Sequence, residues 1–242
     1  PRPMGASLEG PHRSGVHGAL SVVGARRVAA PRRARRHDAR DGLHGGRDLR
    51  QRGLQRVHAC VSQETIFEET GIQFMAINTL FQLASEAPER LAGAGQLLMI
   101  ADAFNFLLSG VARVEVSNAS TSQIYNPVTR TWSARLINAL GFPRGLFPDI
   151  VPSGTRLGLL KPEWTAAMGT PGFPVIAGCS HDTGAAVVAV PAASESGANT
   201  SPPDWAYLSS GTWSLLGCEL PQPNLTPACR EANFTNEIGY GN

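Results

Sequence analysis

The sequence predicts an α/β fold, and three stretches carry that prediction. LLMI at 97–100 is a short apolar run followed by helix-forming text, a strand-then-helix rhythm. FPVIAG at 173–178 reads as a buried strand that leads through CSHDT into the apolar helix TGAAVVAV. AYLSSGTWSLLGCEL at 206–220 reads as a strand, a glycine turn and a second strand.

Residues 1–60 stand apart from this pattern. They hold 13 Arg and four acids, a net charge of +9, whereas residues 61–242 hold eight basic residues and fifteen acids, a net charge of −7. All sixteen Phe, Trp and Tyr fall after residue 60. Without large apolar side chains the first segment cannot offset the entropy of ordering its backbone, so no self-standing domain is expected there. The block at 28–56 shows neither sustained helical nor alternating periodicity. Four readings compete: a cationic arm for nucleic-acid phosphates, a disordered tail, an Arg-rich transit peptide, and out-of-frame translation of GC-rich DNA. A single Lys, Lys161, against twenty Arg favours the last. No aromatic is interleaved to stack on bases, so nucleic acid is not an expected partner.

Patterned text starts at Val61. Ser62 opens a short helix and Gly71 closes it. MAINTLFQLASEAPE, 75–89, is expected as a core helix that Pro88 stops. Asp102 is expected to cap the helix DAFNFLLS, which ends at Gly110. SNASTSQIYNPVTRTWS, 117–133, mixes capping and turn residues, and ARLINALGF follows as an amphipathic helix with Leu136, Ile137 and Leu140 on its core face. Pro143, Pro148 and Pro152 mark a surface loop before the extended run TRLGLL, and SESGANTSPPD, 194–204, reads as a linker.

No run approaches the roughly 20 apolar residues of a membrane span. Cysteines at 60, 179, 218 and 229 form no CxxC pair and are too sparse for a disulfide scaffold, so a reducing, cytoplasmic setting and no metal site are expected.

Polar residues concentrate at two strand ends, where α/β folds place their chemistry. In SHDT, 180–183, Asp182 is read either as a helix cap or as a general base that accepts a substrate hydroxyl proton. In SSGTWS, 209–214, small residues allow close approach of an anion and hydroxyls supply donors; the competing reading is a plain hairpin turn. Neither stretch matches GxxxxGK[ST], so a P-loop enzyme is not supported.

Five stretches taken in order resemble the FGGY family of carbohydrate kinases. They are GIQFMAINTLFQL at 71–83, LLMIADAFNFLLSG at 97–110, SNASTSQIYN at 117–126, GCSHDTGAAVVAVPA at 178–192 and AYLSSGTWSLLG at 206–217. Within the family the likeness is to members acting on L-rhamnulose. The resemblance implies an actin-like ATPase (ribonuclease H-like) fold with two α/β domains that bring ATP and sugar together in a cleft. It implies residues 61–192 as the later part of the first kinase domain, 193–205 as a linker and 206–242 as the start of the second, with 1–60 disordered or out of frame. Asp182 resembles the catalytic base, with His181, Asp182 and Thr183 on the sugar, and Ser210, Gly211 and Thr212 resemble contacts to ATP phosphate. The implied cofactors are ATP and Mg2+, and the implied reaction yields L-rhamnulose 1-phosphate.

Family segments of the types DxGxSxxR and WGxD do not occur, and the chain stops at Asn242 before the family's later sugar and adenine contacts. A partial kinase with little activity alone is therefore expected. Kinases for L-fuculose or xylulose, and a non-catalytic protein using the basic arm, are the alternatives.

Overall fold

A computed structural model describes the backbone of residues 16–19, 42–190, 205–210 and 214–240, and side chains over 51–190, 205–209 and 215–240. The chain order is strand β1 (Val16–Ala19), helices α1 (Gly42–Cys60), α2 (Gln63–Thr70), α3 (Thr79–Ala84), α4 (Pro88–Ala92) and α5 (Ile100–Ser109). Next come β2 (Val114–Glu115), α6 (Val116–Ser120), β3 (Tyr125–Asn126), β4 (Thr131–Trp132), α7 (Ala134–Ala139), β5 (Ile150–Val151) and β6 (Thr155–Leu159). Helix α8 (Pro162–Met168), β7 (Pro174–Ala177), α9 (Asp182–Val188), β8 (Tyr207–Ser210), β9 (Ser214–Leu220), α10 (Pro227–Glu231) and β10 (Glu237–Ile238) complete it.

Four strands form a sheet in the order β10-β1-β9-β8, and three two-stranded ladders pair β2 with β5, β3 with β4 and β6 with β7. The β2–β5 pair is parallel, and β8 and β9 form the expected antiparallel hairpin, with Tyr207 opposite Gly217.

Local chemistry explains most of the boundaries. The Ser62 hydroxyl accepts from the Thr65 amide at 3.2 Å, and Gly71 closes α2 at φ 68°, a left-handed turn that favours glycine. The Ser133 hydroxyl caps α7, whose Leu136 and Ile137 are buried as the helical spacing requires. They join Val57, Ile66, Leu80 and Phe81 in the main apolar core.

Helix α1 departs from the reading of residues 1–60, because its C-terminal half is part of the folded unit. Val57 is fully buried and Leu54 packs against the core. The large aliphatic residues of α1, Leu43, Leu49, Leu54 and Val57, are too few among Arg and Gly to register as a period. Packing supplies what propensity lacks: a Cβ on Gly53 would lie 2.1 Å from the carbonyl oxygen of Phe81, so only glycine lets α1 approach α3 this closely.

Four further expectations need correction. Residues 97–100 do not form a strand, since Leu97 donates one amide bond to the Leu146 carbonyl (2.6 Å) and α5 then starts at Ile100. Asp102 is not the cap of that helix; Met99 occupies the cap position and the Asp102 carboxylate turns inward. The helix expected from Met75 up to Pro88 is shorter, spanning only Thr79–Ala84, and Pro88 instead opens α4 at its first turn, where its missing N–H costs nothing. Strand β7 is half-buried rather than buried: Val175 and Ala177 face the core while Ile176 is exposed.

Candidate functional site

Strand β7 delivers the chain through residues 178–180 to His181, which occupies the cap position of α9, so Asp182 is the first helical residue. The Asp182 carboxylate accepts from the Thr183 amide at 2.7 Å, yet its side chain is 76% exposed. Asp182 is therefore not the cap of α9, whose cap position His181 occupies, and its carboxylate, hydrogen-bonded among the described residues only to the next amide, stays open to solvent.

His181 and Thr183, in contrast, are buried. They line a cavity of only about 10 Å3 with Gly184, Val187, Tyr207, Glu237 and Ile238. The imidazole Nε2 lies 3.8 Å from Asp182 Oδ1 and Nδ1 lies 3.4 Å from Glu237 Oε2. Burial pushes the His181 pKa down, and that effect outweighs the upward pull of the Asp182 and Glu115 carboxylates. The imidazole is accordingly neutral at pH 7.

The loop is gripped from behind. Glu115, fully buried, accepts from the Ser180 amide (3.2 Å), the Ser180 hydroxyl (3.1 Å), the Ser117 amide (3.0 Å) and the Asn118 amide (3.3 Å). The hydroxyls of Ser117 and Ser153 also donate to it. Ser117 Oγ in turn accepts from the amides of Ser180 and His181, each at 3.2 Å. Asn118 Nδ2 donates to Ser180 Oγ at 3.2 Å. Burial of the Cys179 thiol raises its pKa, so it is protonated and unreactive at neutral pH.

Sequence reasoning singled out residues 180–183 but not Glu115, Ser117, Ser153 and Glu237, which the structure packs around them. A glutamate at a helix cap is outside the usual capping set, so no local rule singles out Glu115. Of the phosphate candidates, Gly211 and Thr212 lie outside the described residues, and Ser210 is described only as the last residue of β8. Among the described residues no group of three or more His, Cys, Asp or Glu side chains could hold a metal ion. No described helix is long and apolar enough to cross a membrane. A separate cavity of about 390 Å3, lined by residues including Arg130, Trp132, Arg144 and Phe147, contains none of residues 180–183. Size alone would favour it, but it lacks a buried polar constellation of the kind that organises the 180–183 loop.

The profile of the FGGY family of carbohydrate kinases, N-terminal domain, matches residues 51–189, and the chain belongs to this family. It is 40% identical over 181 residues to a rhamnulokinase of Enterococcus faecalis, covering 75% of this chain and 35% of that protein. With a rhamnulokinase of Oceanobacillus iheyensis it shares 42% identity over 197 residues, covering 80% of this chain and 40% of that one. The chain thus spans well under half the length of these curated relatives. A carbohydrate kinase structure from Novosphingobium aromaticivorans superimposes with a TM-score of 0.59 at 24% identity, covering 77% of this chain and 42% of that one. The fold is that of an FGGY kinase N-terminal domain, α/β and consistent with the actin-like ATPase architecture.

Proposed function

We propose that these residues form part of a rhamnulokinase, an enzyme that transfers the γ-phosphoryl group of ATP to O1 of L-rhamnulose. One observation carries the reading: Asp182, alone of the 181–183 triplet, holds its carboxylate out to solvent on a loop fixed from below by Glu115 and Ser117. In this reading Asp182 takes the O1 proton as O1 bonds to the γ-phosphorus and the bond to the bridging oxygen breaks, releasing ADP. His181 and Thr183 frame the sugar. The hairpin end at Ser210, Gly211 and Thr212 meets ATP phosphate, and residues 205–240 begin the second kinase domain. The rhamnulokinase relatives support this choice of sugar over L-fuculose or xylulose.

The test uses protein from the longest reading frame that contains these residues, incubated with ATP, Mg2+ and each of the three ketoses. Phosphorylation of L-rhamnulose is expected, with Asp182→Asn lowering kcat by about 10^2 to 10^4. Unchanged kcat in that variant would remove Asp182 as the base, and preference for another ketose would overturn the substrate.

A further inference from the structure

Residues 61–242 carry eight basic side chains in a stretch whose net charge is −7. Five of the eight stand in ion pairs: Arg90 with Glu86, Arg113 with Asp149, Arg135 with Glu68 and Glu69, Lys161 with Glu163, and Arg230 with Glu64. Arg130, Arg144 and Arg156 have no acidic partner among the described residues. Two of these three, Arg130 and Arg144, line a single cavity, the cleft of about 390 Å3. Asp149, the acid in its lining, is bridged by Arg113 at 3.3 Å. An acidic domain therefore presents a cleft whose charge is reversed.

The rest of the lining is aromatic and aliphatic, and it is held in place. Trp132 Nε1 donates to the Pro148 carbonyl at 2.7 Å, and the indole lies 5.4 Å from the Phe147 ring at a tilt of 56°. Phe147 stands in turn 6.3 Å from the buried Phe142. Trp132 and Phe147 are half-buried, so both rings keep surface on the cleft. Arg144 opens the short turn after α7, and its guanidinium donates to Asn138 Oδ1 at 3.0 Å. Arg130 sits in the β3–β4 turn at φ 58°, a left-handed conformation that favours glycine. The turn imposes it: the Arg130 amide donates to the Asn126 carbonyl at 2.9 Å, and Asn126 Oδ1 accepts from the amides of Val128 (2.9 Å) and Thr129 (3.0 Å).

We propose that this cleft binds a small oxyanion, phosphate or carboxylate, borne on a flat apolar body. The guanidiniums of Arg130 and Arg144 take the anion, and Trp132 and Phe147 take the ring. Planar guanidiniums match either oxyanion with paired N–H donors, and aromatic side chains pack against flat apolar groups. The volume falls in the range of small-molecule sites. The cleft contains none of residues 180–183, so the proposal stands independently of the sugar-kinase reading.

NMR titration of 15N-labelled protein from the longest reading frame that contains these residues tests it. The added compounds are phenyl phosphate, benzoate and inorganic phosphate, and the reporter is the Trp132 indole N–H, identified by its loss in Trp132→Phe. Phenyl phosphate and benzoate should shift this signal saturably at millimolar concentrations, and inorganic phosphate should bind about tenfold more weakly for want of a ring. Whichever of the two ring compounds binds more tightly identifies the anion, and either ranking supports the site. Arg144→Gln and Arg130→Gly should each weaken binding about tenfold, the effect of one lost charge-assisted contact. Because glycine suits the left-handed turn, Arg130→Gly should leave the thermal midpoint unchanged or raised, which separates lost affinity from lost folding. The absence of a saturable Trp132 shift with either ring compound would overturn the proposal, and the wild-type titration decides this even if a variant fails to fold. Equal affinity for inorganic phosphate, or unchanged affinity in both arginine variants, would overturn it as well.

Discussion

Two buried acids sit side by side at the start of α5 and the end of β2, and the fold treats them in opposite ways. Glu115 is fully buried and receives donors from Ser117, Asn118, Ser153 and Ser180. Asp102 is 1% exposed, accepts the Glu115 amide at 3.1 Å through Oδ1, and has no hydrogen-bond partner for Oδ2 among the described residues. Loss of hydration, with the neighbouring Glu115 charge adding to it, pushes the Asp102 carboxyl up to about 7. Equal burial thus produces one acid embedded in donors and one that stays protonated through mildly acidic pH. The lesson is that donor supply, more than depth, decides what a buried carboxyl does.

The largest break of this comparison is Glu115→Ala. Removing the acceptor orphans several buried donors at once, and unfolding in urea should report a loss of about 3–5 kcal/mol. The second test is pH. Asp102 is protonated more readily folded than unfolded, its value rising from 3.8 to about 7, so stability should fall as pH rises through that window and level off above it. The loss is on the order of 4 kcal/mol, and Asp102→Asn should flatten this part of the profile. Retention of the slope in Asp102→Asn would assign it to other groups. The smallest effect is expected from Ser117→Ala, which removes one relay between Glu115 and the 180–181 amides and should cost about 1–2 kcal/mol in a thermal or urea transition. If Ser117→Ala cost as much as Glu115→Ala, the grip on the loop would lie in the hydroxyl and not in the carboxylate.

Much of the fold was legible from local rules. Ser62 and Gly71 bound α2, Gly110 closes α5, and the 206–220 hairpin forms, because capping and turn chemistry act within a few residues. Asp182 was visible for the same reason, as a polar residue just after a strand. Glu115 and Glu237 were not, since their roles depend on partners far along the chain: Ser180 lies 65 residues from Glu115, and Glu237 reaches His181 only through tertiary packing. Residues 97–100 misled because a four-residue apolar run looks the same whether or not a neighbouring strand is available to pair with it. Helix α1 was hidden in the opposite sense, its apolar residues too sparse to show a period while Gly53 allowed a contact that no periodicity records.

The Gly71–Asn236 pair also bears on how the molecule assembles. These residues are 165 positions apart, and the bond between them is one of those that bring β10 beside His181. Closing a loop of that length is entropically late, after the helices and short ladders whose contacts are local have formed. On the ribosome, Asp182 would emerge and join its helix well before the residues that complete its surroundings are made. The surroundings of the candidate centre thus depend on contacts between residues far apart in the chain, which close after the local ones.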